Sequence, residues 1–273
     1  MRAFARFAAA WFRPAAFTAL LIVGWAFLRA QPAPDPERLR ANLPLVGAHT
    51  LLGQEEANGV NPAVTPAITT QLSGSSLIVF NAGYRSNSNP PTDSKSNAWK
   101  QLGSVVYNGY DGRFDVKAYL VLAAKGGSNH TISIVKNGNP IGELTLPFLE
   151  IRNAGILQDV AQNYPATAAT LTSGNVTTTG PATLVAVWWG DGAFKQNTAE
   201  PGNGFTVIES FVTLPDNSAV QCVVAFKDVD RAGTYNVTWT NNPPQGAPLW
   251  LFAFQSSAAS SVAKPDEEKP GSP

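Results

Sequence analysis

The sequence predicts an all-β protein, a two-sheet sandwich built from two similar halves, carried behind an N-terminal amphipathic and transmembrane helix. Three observations predict it. Charged residues make up 14% of the 273, against roughly 25% in an average soluble domain, while Thr, Ser, Asn and Gly crowd the middle of the chain. Stretches such as Asp115 to Ala123 and Ala219 to Phe226 have the period-2 or continuously apolar character of strands. Finally, the middle of the chain repeats itself.

Composition also excludes some functions. The formal net charge is zero and no Lys/Arg stripe lies beyond the first 40 residues, so nucleic-acid binding has no electrostatic basis. The apolar fraction of 44% is enough for a sizeable core. Cys222 is the single cysteine; it forms no intrachain disulfide and is expected to pack as a small hydrophobe.

Residues 1–30 form the first element. Phe4, Phe7, Ala8, Trp11 and Phe12 recur at helical spacing, with Arg2, Arg6 and Arg13 off that face. This is the pattern of an interfacial helix with aromatics sunk into a bilayer. Pro14 opens a second helix, whose uncharged run from Ala15 to Leu28 contains Leu20, Leu21, Ile22, Val23, Trp25 and Phe27. Fourteen residues rise about 21 Å, so spanning a ~30 Å core requires snorkelling of Arg29 and local thinning. The competing expectation is a secretory signal cut after Ala30, at a poor site with Leu28 and Arg29 beside it. The retained-anchor reading places the N-terminus in the cytoplasm and the rest in the bacterial periplasm; the cleaved form would be secreted or on the cell surface. The aromatic start, "WFRP" and the apolar run resemble the N-terminus of a bacterial light-harvesting polypeptide, although residues 1–48 contain no His to ligate a pigment.

From 31 to 65 the prolines 32, 34, 36, 44 and 62 predict a tether, and 256–273 read as a disordered tail. Between them, residues 66–255 divide into halves at about 66–151 and 174–255. "AITTQLSGSSLIVF" at Ala67 is answered at Asn175, "AWKQL" at Ala98 by "GFTVI" at Gly204, and "HTISIV" at His130 by "YNVTWT" at Tyr235. "PFLEI", ending at Ile151, is answered by "LFAF", ending at Phe254. Each half offers about five strands and would leave open edges alone, which predicts one sandwich around one core; two independent small β-domains are the alternative. The segments "SSLIVF", "GRFDVKAYLVLAAKGGSNHTISI", "GTYNVTWT" and the closing "LWLFAFQ" resemble internally duplicated jelly-roll-like domains of bacterial exported and surface proteins. That resemblance implies a jelly-roll-like fold and an exported location, and no function.

No catalytic, cofactor or metal residues are expected. His49 and His130 lack a nucleophile or carboxylate at a recognised spacing, and no zinc or calcium motif occurs. Two polar loops, Tyr84 to Asn97 and Gly190 to Asn203, are longer than hairpins require. Beside them stand Trp99 and the pair Trp188 and Trp189, which must point to opposite faces of a strand. Tyr84, Trp99 and the outward member of the pair are the expected partner-binding residues. The functional expectation is a non-catalytic, membrane-anchored extrinsic subunit whose partners are the membrane and other subunits of a membrane-protein complex. The alternative is a secreted carbohydrate-binding module or adhesin that recognises polysaccharide. A hydrolase is not expected, for want of paired carboxylates or a nucleophile with its base.

Overall fold

A computed structural model describes residues 43–55, 59–84, 90–103, 114–136, 142–190, 192, 194–214 and 220–257. All of these belong to one compact unit, Pro36–Pro273. The anchor positions Phe4, Phe7, Trp11, Phe12, Leu20, Leu21, Ile22, Val23, Trp25 and Phe27 lie outside the described residues.

Every regular element among the described residues is a strand. In the first half these are β1 (Leu45–Gln54), β2 (Ala63–Val64), β3 (Ser75–Tyr84), β4 (Thr92–Asp93), β5 (Lys100–Leu102), β6 (Phe114–Ala124), β7 (Ile132–Ile134) and β8 (Leu144–Arg152). The second half holds β9 (Ile156–Asn163), β10 (Ala168–Thr172), β11 (Val176–Thr178), β12 (Ala182–Trp188) and β13 (Thr198–Pro201). It continues with β14 (Thr206–Phe211), β15 (Cys222–Val229), β16 (Gly233–Tyr235), β17 (Thr238–Gln245) and β18 (Leu249–Gln255).

Two five-stranded antiparallel sheets dominate, in the orders β1-β8-β3-β6-β5 and β9-β18-β12-β15-β14. The orders correspond position by position. Smaller sheets accompany them: β2-β7-β4 in the first half, and β10-β17-β13 with the pair β11-β16 in the second.

The apolar residues sort into three buried clusters. In the middle one, Ile78, Phe80, Leu149 and Ile151 of the first large sheet meet Val185, Val187, Trp250, Phe252 and Phe254 of the second. Phe80 packs edge-on to Trp250 with centroids 5.7 Å apart, and Trp250 stacks on Phe252. The opposite face of the first sheet, with Leu77, Val79 and Phe148, packs on Ile132 and Ile134 of β7. The opposite face of the second, with Leu184, Ala186 and Leu251, packs on Leu171 and Trp239. Both large sheets are thus covered on both faces, which is why β12 and β18 are continuous apolar runs rather than alternating ones. The edge strand β9 alternates half-buried and exposed positions along its length.

Two expectations are corrected. A single core between two sheets gives way to three clusters among five sheets, because each large sheet also has a smaller one behind it. The tether does not extend to 65, since β1 pairs with β8 and β2 with β7; the prolines at 44 and 62 flank these strands rather than prevent them. Similarly, β9 and β10 fill the gap left between the two repeats. Pro147 lies in β8 between β1 and β3, and the β3–β8 ladder shows no pairs for Phe80 and Asn81 opposite Pro147 and Leu146, as expected where an N–H is missing.

The quoted repeats occupy corresponding places. Ile151 and Phe254 both enter the middle cluster. Ile132 and Ile134 pack behind the first sheet, and Val237 and Trp239 behind the second.

Candidate functional site

Trp188 and Trp189 do point to opposite faces, one in the cluster behind the second sheet and the other in the middle cluster. Both are fully buried, so no outward Trp exists at this pair. The two side chains alternate as period 2 requires, but a strand covered on both sides has no outward face. Trp99 is also buried, in the cluster behind the first sheet. Tyr84 closes β3 opposite Phe114; its side chain lies outside the described residues. The two long loops are not free of structure. Each contains a strand, β4 and β13, and in the second Gln196 bridges to Thr213 and the Leu214 amide donates to Lys195 O at 2.7 Å.

Two seams remain where the large sheets meet at their edges. On one side β1 lies against β14. His49 Nδ1 is 2.7 Å from Glu209 Oε1, and the Phe211 ring rests on Gly53, where a Cβ would collide with it at 2.6 Å. On the other side β5, only three residues long, faces β9. Here Gln162 reaches Gly103, which has φ +56° and whose Cβ would sit 2.7 Å from Gln162 Oε1. Below this contact a groove of about 370 Å³ opens, lined by Ala98, Lys100, Leu102, Leu120, Leu122 and Leu157. Leu122 is 44% exposed there. The groove offers aliphatic walls and one exposed ammonium. It suits a hydrophobic side chain of a partner and presents no reacting group of its own.

Behind the first sheet lies a second concentration of polar groups. Thr70 Oγ1 is 2.9 Å from His130 Nδ1 and accepts from the Gly127 amide at 3.1 Å. Asp93 accepts from the Trp99 indole at 2.8 Å and from the Lys95 and Asn97 amides at 2.7 and 3.2 Å. His130 Nε2 stands 3.8 Å from Asp93 Oδ1, with both side chains fully buried, a separation longer than a hydrogen bond. Burial alone would raise the Asp93 carboxyl, but the neighbouring imidazole and the amide donors hold it at about 2. Thr, His and Asp in a row have the composition of a nucleophile, base and orienter. All three are buried and the Thr hydroxyl is engaged on both sides, so the arrangement clamps the β2-β7-β4 layer. Among the described residues, no group of three or more His, Cys, Asp and Glu is placed to hold a metal ion.

Other buried ionisable groups are accounted for. Glu150 accepts from the Gln71 and Ala48 amides at 2.7 and 3.2 Å, from Ser75 Oγ at 2.7 Å and from Arg152 at 3.2 Å. Desolvation opposes these bonds, yet together they lower its pKa. Lys136 donates to Gln54 Oε1 at 2.7 Å and to Gly142 O at 2.5 Å, and burial pulls its ammonium down to about 8. Cys222 is fully buried, and burial, with Glu209 nearby, pushes its thiol far up.

The groove was not legible in the sequence. Leu122 sits in "AYLVLAA", where nothing separates an apolar residue that ends up under a neighbouring sheet from one left at its margin. His130 was legible as a residue but not as a contact of Thr70 and Asp93, which lie 60 and 37 positions away in the chain. Among the described residues, no helix is long and apolar enough to cross a membrane. No family model, curated protein or solved structure matches this chain.

Proposed function

We propose that the protein is a non-catalytic, membrane-anchored extrinsic subunit that docks on a bacterial membrane-protein complex through an exported β-unit. The observation that carries this reading is the difference between the two seams. One is closed by the His49–Glu209 hydrogen bond and an aromatic ring, while the other leaves an aliphatic groove with Leu122 exposed. Apolar walls with a polar rim are the usual composition of a protein-docking pocket. The aromatic, amphipathic start and the apolar run at 15–28 support the anchor.

The same reading takes each half as a jelly roll and the pair as an internal duplication. It is supported by the parallel orders β1-β8-β3-β6 with β2-β7-β4 and β9-β18-β12-β15 with β10-β17-β13. The alternative, a secreted polysaccharide-binding module, draws less support because Trp99, Trp188 and Trp189 are buried.

The test is purification from native membranes in mild detergent. Wild-type protein is expected to co-purify with other membrane proteins, and Leu122→Asp to come away from them with unchanged thermal unfolding. A wild-type chain that purifies alone, starts near Gln31 and binds polysaccharide would replace this reading with the alternative.

A further inference from the structure

The two ends of the β-unit are not alike. At one end the chain enters and leaves. Leu43 O accepts from Asn153 Nδ2 at 3.2 Å, β1 begins opposite the end of β8, and Gln255 at the end of β18 pairs with Ile156. Ser257 packs against Gly155, so the two described chain ends share this end.

Exposed aliphatic residues gather at the same end. Leu72 is 81% exposed. It stands three residues before β3, and its carbonyl accepts from the Gly126 amide at 3.0 Å, just past the end of β6. Leu45 and Ile156 begin their strands here at 38% and 40% exposure. Cations surround Leu72. The side chains of Leu72 and Lys95 both lie over Gly127, and Lys95 Nζ donates to Ser128 O at 2.8 Å. Lys125 is exposed in the same loop.

We propose that this end rests on the lipid surface, with Leu72 inserted among the acyl chains and Lys95 and Lys125 at the headgroups. An exposed leucine beside lysines has the chemistry of an interfacial contact, in which an apolar surface sinks ~5–10 Å and cations meet anionic lipid. The length of chain outside the described residues fixes the occupant. Arg29 to Asn42 span at most about 50 Å in any conformation, and they join the unit at Leu43, on the Leu72 end. This end of the unit is therefore the one nearest the anchor along the chain. The proposal rests on the anchor reading above and adds to it which end faces the lipid.

Site-specific quenching tests it. The buried Cys222 leaves a Leu72→Cys thiol free for selective labelling with an environment-sensitive fluorophore. A Val60→Cys variant reports on the far end, where Val60 donates to Gln54 at the end of β1. Full-length chains are reconstituted in nanodiscs of phosphatidylethanolamine and phosphatidylglycerol with a doxyl-labelled lipid. The expected result is a blue shift and loss of emission at position 72, with little change at 60. Equal emission at both positions, or stronger quenching at 60, in a chain that resists carbonate extraction overturns the proposal and leaves the anchor reading standing. A chain that carbonate removes from the bilayer overturns both.

Discussion

The two halves run their strands in the same order, yet the layers behind their large sheets are held by different chemistry. At the same point of the topology the first half places Trp99 and the second Phe205, both buried. The buried Trp99 indole N–H has an acceptor, whereas those of Trp188, Trp239 and Trp250 find none among the described residues. Trp99 has Asp93, and with that carboxylate come the Lys95 and Asn97 amides and the buried His130. Phe205 has no side-chain N–H to satisfy, and Lys227 Nζ lies 5.9 Å from its ring centroid. The second half ties β11 to β9 through the Asp159 carboxylate, which accepts from Thr177, but around Gln245 its polar ties are amides. Gln245 donates to Asn197 and Gln221 at 3.1 Å each and accepts from the Gly192 amide at 2.8 Å, while Gln221 donates to Gly192 O. The fold requires that its loops be tied down, and it does not prescribe which polar groups tie them.

The contrast can be broken most severely in the second half. Trp188→Ala removes its largest buried side chain class and is expected to cost about 3–5 kcal/mol, read as a lower urea midpoint. An unchanged midpoint would show that the cluster behind the second sheet collapses without cost.

Next in size is Asp93→Asn. It deprives a buried indole and two amides of their charged acceptor, at a cost of about 2–3 kcal/mol. The Asp93 carboxyl is held at about 2, below its ordinary 3.8. A depressed carboxylate stabilises the fold above its unfolded pKa, and that contribution is lost as pH falls towards 2. From the shift, about 2 kcal/mol of wild-type stability should disappear between pH 4 and 2, over and above losses at Glu150. The gap between wild type and Asp93→Asn should therefore narrow over that window; a gap independent of pH would refute the assignment.

Gln245→Leu tests the other chemistry. It strands Gly192 and two amide side chains, which should cost about 2 kcal/mol with no dependence on pH from 2 to 7 relative to wild type. A pH-dependent difference would mean that a titrating group is coupled to this network.

At Lys136 the sign is opposite. Its pKa is lowered to about 8, so between pH 8 and 10.5 the unfolded chain binds more protons than the folded one, and stability rises with pH. The rising thiol of Cys222 opposes this above pH 9, so the informative quantity is the difference from Lys136→Met. That variant should lack the alkaline gain and lie closest to wild type near pH 10; parallel curves would sink the assignment.

Local patterns along the chain determine the class of structure. Low charge, β-periodic runs and the blocks at His130 and Tyr235 specify strands and their order, because strand character and side-chain alternation are set by neighbours one or two positions away. Cys222 as a buried hydrophobe was legible for the same reason. The opposite facing of Trp188 and Trp189 was also legible, since it follows from period 2 alone. Whether either faced water was not: burial depends on what lies across the sheet, and both faces of β12 are covered by residues distant in sequence. The same holds for β1, whose flanking Pro44 and mixed polarity read as a tether until β8 and β14 supply its partners. The Thr70, His130 and Asp93 cluster, the open groove at Leu122 and the shared end of Leu43, Leu72 and Ser257 are likewise products of long-range packing. No local pattern encodes them, because each consists of groups brought together only when the two large sheets and the layers behind them close.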